Sequence, residues 1–126
     1  MTTPQKPRLT SLAPQLIVTD LARSIDYYQR LGFTFGEPWG GFYAIGYLDG
    51  LELHLKVSPI AGDGRRDRHE KEHLDAAGGV DGIGAFYQHC VQNSVRIHKP
   101  LAPTAWGTED FYIEDLDGNV ISFGGK

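Results

Sequence analysis

The stretch Pro14-Gln15-Leu16-Ile17-Val18-Thr19-Asp20-Leu21-Ala22-Arg23-Ser24-Ile25-Asp26-Tyr27-Tyr28-Gln29-Arg30-Leu31-Gly32-Phe33 reads as a strand running into a helix. Pro14 to Val18 is short and apolar, and Thr19 and Asp20 offer side-chain oxygens to the free N–H groups of a first helical turn. Leu21, Ile25, Tyr28 and Leu31 then recur at helical spacing, and Gly32 supplies the stop. Three strands follow in the pattern, Phe33 to Phe35, Phe42 to Leu48 and Leu51 to Val57, punctuated by Gly, Pro and Asp-Gly. The last has the cleanest alternation: Leu51, Leu53, Leu55 and Val57 share one face, while Glu52, His54 and Lys56 share the other. One face is therefore core, and the opposite face meets solvent or lines a concavity. The first half reads βαβββ.

Working outward, Ser58 to Glu72 is rich in Gly and in both signs of charge, which predicts a long exposed loop. After it, Val80 and Asp81 lead into Ile83, Phe86, Cys90 and Val91 at helical spacing, ending near Asn93 and Ser94. Val95 to His98, Phe111 to Glu114 and Asn119 to Phe123 read as strands, with a tight turn at Asp117-Gly118-Asn119. The halves echo one another: Val18, Asp20 and Tyr27-Tyr28-Gln29 correspond to Val80, Asp81 and Phe86-Tyr87-Gln88 at an offset of about 60 residues. The expected organisation is one domain over 1–126, with a first module at about 9–57, a loop at 58–74 and a second module at about 75–124.

Composition narrows the function classes. A chain of 126 residues, 40% apolar and 22% charged, suits a single soluble domain. Its net charge of −4 is a poor footprint for nucleic acid. No apolar run approaches the roughly 18 residues that span a bilayer, and the polar start lacks a signal-peptide core, so a cytoplasmic location is expected. With Cys90 alone, neither an intrachain disulfide nor a cysteine-built zinc site is available. Its spacing with Phe86 reads as inert core. Glu109, Asp110, Glu114, Asp115 and Asp117 fall in a stretch without a base, which reads either as a cation-attracting cleft wall or as a solvated hairpin.

The order strand, helix, Leu31-Gly32-Phe33, three strands, and a repeat ending in Asp115-Leu116-Asp117-Gly118-Asn119 resembles the vicinal oxygen chelate superfamily of glyoxalases, bleomycin resistance proteins and extradiol dioxygenases. The likeness covers roughly Leu9 to Phe123. It is strongest to the bleomycin resistance branch, through Leu9-Thr10-Ser11, Asp20, Tyr27-Tyr28, Leu31-Gly32-Phe33, Trp106-Gly107, Phe111 and Phe123. Leu116 stands where such proteins usually carry proline. The resemblance implies an α+β fold, two βαβββ modules forming a curved, cup-like mixed sheet, commonly assembled as a homodimer. It also implies where the metal-dependent members place their ligands: on Ala13, Glu52, Ser122 and a position near Asp75. Ala13 offers no donor and Ser122 a poor one, so no family-type metal is expected.

Other motifs compete with that reading. His69-Glu70-Lys71-Glu72-His73 spells H-E-x-x-H, the zinc-hydrolase pattern, with Asp75 or His89 as conceivable third ligands. The surrounding charge and lack of an apolar stripe read instead as a solvated loop. Glu52 and His54 on one strand face make a ligand-contacting pair, with acid/base work as the less favoured use. Trp39, Phe42, Tyr43 and Trp106 sit in or beside Gly-rich stretches where flat rings can be presented to a planar ligand, with core packing as the alternative; Phe42 and Trp106 are favoured among them, then Trp39.

The resulting expectation is a metal-free small-molecule binding protein of the bleomycin resistance type, using Trp39, Phe42, Glu52, His54 and Trp106 to sequester a partly cationic, aromatic, antibiotic-like ligand. No catalytic residue and no cofactor belong to that reading. The alternative is a metal-dependent lyase, isomerase or dioxygenase of the same superfamily, built on Glu52, His54 and Asp75.

Overall fold

The structure, a computed structural model, describes residues 6–126. Its elements run β1 (Gln15–Val18), α1 (Leu21–Leu31), β2 (Thr34–Phe35), β3 (Tyr43–Leu48), β4 (Leu51–Val57), α2 (Arg65–Glu70), β5 (Ala76–Val80), α3 (Ile83–Gln92), β6 (Ile97–Pro103), β7 (Glu109–Glu114) and β8 (Val120–Gly125). Two four-stranded mixed sheets result, ordered β1-β4-β3-β2 and β5-β8-β7-β6. The orders are the same once the second half is counted from its own first strand. In each, the first strand pairs parallel to the last and the remaining strands pair antiparallel. This is the α+β, twice-repeated βαβββ arrangement expected from the sequence.

Helix α1 forms where its punctuation dictates. The Asp20 carboxylate accepts from Arg23 N at 3.1 Å, and Gly32 ends the helix at φ 123°, a conformation that disfavours any side chain. Its buried face, Leu21, Ser24, Tyr27, Tyr28 and Leu31, covers the inner face of the first sheet, where Leu16, Val18, Ala44, Leu53 and Leu55 are buried. Gly46 lets the Phe35 ring lie against the sheet, since a Cβ there would meet Phe35 Cζ at 2.7 Å. Ile83 and Cys90 of α3 join Phe111, Ile113 and Ile121 of the second sheet, and both halves form one hydrophobic cluster.

Three differences from the sequence reading matter for the site. The expected loop after Ser58 contains helix α2, fixed because Arg65 Nη1 bonds Asp75 Oδ1 at 2.8 Å and Nη2 bonds Asn119 Oδ1 at 2.6 Å. Strand β5, Ala-Ala-Gly-Gly-Val, carries little β propensity and forms because β8 offers it a parallel ladder. Strand β6 runs to Pro103, beyond the expected His98, with register shifts between Ile97 and Ala102. Among the described residues no helix is long and apolar enough to cross a membrane.

Candidate functional site

The β4 alternation resolves as the sequence suggests. Leu53 and Leu55 are buried, while Glu52 and His54 are half-buried on the face turned away from α1. Cross-strand register adds Gln15 and Ile45 beside His54, Tyr47 beside Glu52, and Tyr43 beside Lys56. On this open face Gln15 Nε2 donates to the Tyr43 hydroxyl at 2.9 Å, Tyr43 Oη lies 2.6 Å from His54 Nδ1, and His54 Nε2 lies 2.9 Å from Glu52 Oε1. One tautomer satisfies the whole chain: Tyr43 O–H donates to Nδ1, and Nε2–H donates to the carboxylate. Each member thus fixes the next, and the chain ends in an anionic group at the edge of the face.

Trp39 extends the array. It forms an isolated bridge with Tyr43, their rings meeting edge-on at 6.1 Å, and Tyr43 in turn meets the His54 ring at 5.6 Å. Phe42 is tied in through its backbone, donating to Trp39 O and accepting from Val57 N. Trp39 is 54% and Phe42 57% exposed, so neither is core. Three of the five sequence-selected residues, Trp39, Glu52 and His54, therefore gather around Tyr43, while Phe42 is linked to Trp39 and Val57 through its backbone. Trp106 does not join them within the chain. It sits 75% exposed in the turn between β6 and β7, braced by Thr104 Oγ1 and Thr108 Oγ1 at 2.9 Å. Glu52 also borders a cavity of about 230 Å³ shared with Leu12, Phe33, Leu53, Ile121 and Phe123. The sequence offers no signal for Gln15, which only the pairing of β1 with β4 reveals, and it offers Tyr43 as one aromatic of a Gly-rich stretch without its contact to His54, which comes from the pairing of β3 with β4.

The late acidic run does not make one wall. Asp115 is 2% exposed and shapes the β7–β8 turn, accepting from Asp117 N and Asn119 N through Oδ1 and from the Tyr28 hydroxyl and Asn119 Nδ2 through Oδ2. Burial pushes its carboxyl up from the ordinary value, opposed by those donated hydrogen bonds. Burial likewise pushes the Tyr28 phenol well above its usual value, with the Asp115 charge adding to the shift. Asp117 instead accepts from Thr19 N and Oγ1. Burial raises the Cys90 thiol to about 11, in keeping with an inert core position.

The residues at the family-type metal positions do not fit a metal. Ala13 has no donor atom and Ser122 only a hydroxyl. Asp75 is held by Arg65 and Arg68, each at 2.8 Å from Oδ1, while its Oδ2 accepts from Val120 N at 2.8 Å. Only Glu52 remains, already bonded to His54. The H-E-x-x-H pattern dissolves too. Helix α2 ends at Glu70, so His69 and His73 share no helical face, and His89 is turned to Arg30 O at 2.9 Å.

The family model of the Glyoxalase/Bleomycin resistance protein/Dioxygenase superfamily matches residues 8–123, and the chain belongs to that superfamily. Among solved structures it is similar to a bleomycin resistance determinant encoded on the transposon Tn5, at 20% identity and TM-score 0.74, covering 94% of this chain and 98% of that one. A bleomycin-binding protein complexed with bleomycin matches at 19% identity and TM-score 0.71, covering 94% and 99%. A glyoxalase/bleomycin resistance protein/dioxygenase from Alicyclobacillus acidocaldarius matches at 17% identity and TM-score 0.76, covering 92% and 90%. At these identities the likeness establishes the fold. Among curated proteins no sequence match is found.

Proposed function

We propose that this protein binds a partly cationic, aromatic small molecule on the open face of its first sheet and sequesters it without chemistry. The observation that carries the reading is the ordered chain Gln15–Tyr43–His54–Glu52 with the exposed Trp39 ring set edge-on to Tyr43; the exposed Phe42 adjoins Tyr43 in sequence. Exposed rings offer stacking area, and an anchored carboxylate offers a fixed partner for positive charge. The structurally similar protein complexed with bleomycin supports a ligand of that size and character. A single open face covers too little of such a ligand, since small-molecule sites bury about 70–90% of their occupant. The proposal therefore includes a homodimer, in which a second copy closes the face and contributes its Trp106 turn.

The test is titration of metal-stripped protein with bleomycin, followed by tryptophan fluorescence. Saturable quenching, weakened by Glu52→Gln, by Trp106→Ala and by added salt, is expected. Absence of saturable binding refutes a bleomycin-type ligand, and unchanged affinity in Trp106→Ala removes that turn from the site.

A further inference from the structure

The second sheet carries a cluster of a different kind. His69 from α2, His98 from β6 and Glu114 from β7 bring one donor atom each to within 4.8 Å of one another. His98 Nδ1 lies 3.2 Å and His69 Nδ1 3.6 Å from the same carboxylate atom, Glu114 Oε1. We infer that these three side chains form a binding site for a divalent transition ion of the zinc class, separate from the first-sheet face and from the positions at which metal-dependent members of the superfamily hold theirs.

Three features of the geometry carry this assignment. First, the separations are right. Zinc-to-nitrogen and zinc-to-oxygen bonds of about 2.0–2.1 Å at tetrahedral angles place neighbouring donors about 3.3–3.4 Å apart, and the two measured edges bracket that value. Second, His69 is already oriented. Its Nε2 lies 2.8 Å from Gly118 O, and a carbonyl only accepts, so Nε2 carries the hydrogen and Nδ1 is the atom presented to the cluster. A backbone carbonyl holding the far nitrogen of an imidazole is the usual outer support of a metal-binding histidine. The His98 ring is aligned in turn by lying nearly parallel to Tyr112, at 9°. Third, Glu114 divides its oxygens. Oε2 takes Arg96 Nη1 at 3.3 Å, leaving Oε1 to face both imidazoles.

Two imidazoles and one carboxylate suit a borderline ion such as zinc or cobalt(II) better than the hard ions calcium and magnesium, which take oxygen donors. Three protein donors leave a coordination position open. His69 and His98 line a cavity of about 160 Å³ with Glu72, Leu74, Lys99, Tyr112 and Val120, which gives a water or small anion access to that position.

Cobalt(II) titration of the EDTA-treated, dialysed full chain at about pH 7.5 reads the site directly through its visible d–d absorption, and zinc displaces the signal. One equivalent of cobalt with an intense band between about 500 and 650 nm is expected. His98→Ala and Glu114→Gln should each weaken binding at least tenfold, whereas Glu52→Gln, on the other sheet, should leave the cobalt band unchanged. The His98 side chain is one-third exposed, so removing it leaves the core intact, and circular dichroism of each variant confirms folding. Failure of wild-type protein to bind cobalt or zinc overturns the assignment, as does binding that survives both His98→Ala and Glu114→Gln. The bleomycin titration uses metal-stripped protein, so failure of either site is distinguishable from failure of the other.

Discussion

Alkaline unfolding offers the sharpest test of how the two halves are joined. The Tyr28 hydroxyl donates to Asp115 Oδ2 at 2.8 Å, and the Tyr27 hydroxyl donates to Glu114 O and accepts from Arg96 N, so α1 of the first half is bonded through both rings to the second sheet. Burial raises Tyr27 to about 12 and pushes Tyr28 well above the ordinary phenol value. A group whose folded pKa is raised contributes stability that is whole below the unfolded value, near 10, and is lost as the pH climbs toward the folded value. From about pH 8 to 11 the unfolded chain releases both protons and the native one keeps them. At about 1.36 kcal/mol per pH unit Tyr27 then costs roughly 1 kcal/mol, and Tyr28 adds a further loss of the same sign. Urea unfolding at intervals across that range, followed by far-UV circular dichroism, measures it. Wild type should lose more than the Tyr27→Phe, Tyr28→Phe double variant by at least roughly 1 kcal/mol, each compared with itself at pH 8. If the double variant proves too unstable, Tyr27→Phe alone should recover roughly 1 kcal/mol of the loss. Equal losses in wild type and variants would mean that these rings are not buried at the seam.

Other consequences follow from single contacts. Gly46→Ala should destabilise by about 1–3 kcal/mol in urea unfolding, because the new methyl meets the Phe35 ring; a neutral result would place that ring elsewhere. Arg65→Ala leaves Asp75 buried with Arg68 alone and frees Asn119 Oδ1, so a loss of about 3 kcal/mol is expected by thermal denaturation, against about 0.5 kcal/mol for the exposed Lys71→Ala. Cys90, buried and with its thiol near 11, should react with a disulfide reagent at pH 8 only as fast as the protein opens; immediate stoichiometric labelling would contradict its burial.

Much of the fold was legible because its elements are specified locally. Asp20 and Gly32 bracket α1, and the alternation at Leu51 to Val57 separates core from open face without any knowledge of its neighbours. What escaped depends on partners distant in sequence. Strand β5 has two glycines and no strong strand former before Val80, and only the β8 ladder makes it a strand. Helix α2 looks like solvated loop until Arg65 meets Asp75 and Asn119. For the candidate ligand face, Glu52 and His54 could be placed from period alone and Tyr43 from its Gly-rich aromatic stretch, whereas Gln15 and the Tyr43–His54 contact enter through register. The metal cluster was the least legible of all. His69 was noticed for its spacing to His73, yet the histidine it meets is His98, brought there by the pairing of β6 with β7.

The two sheets share one strand order but divide their chemistry differently. In the first, the inner strand β4 carries Glu52 and His54, and its neighbours β1 and β3 supply the Gln15 and Tyr43 that orient them. At the corresponding place in the second sheet, β8 presents Ser122 opposite Ala77 of β5 and Tyr112 of β7, so β8 carries no carboxylate or imidazole. The donors lie instead on β6, β7 and α2, where the β7–β8 turn gives Gly118 O to His69 and sets Glu114 one residue before the buried Asp115. That turn is also the seam between the halves, since Asn119 Nδ2 reaches Ile17 O at 2.9 Å and Asp117 receives Thr19. A repeated backbone therefore does not repeat a site: the same ladder holds a polar and aromatic face on one side and an imidazole–carboxylate cluster on the other, and each must be argued from its own side chains.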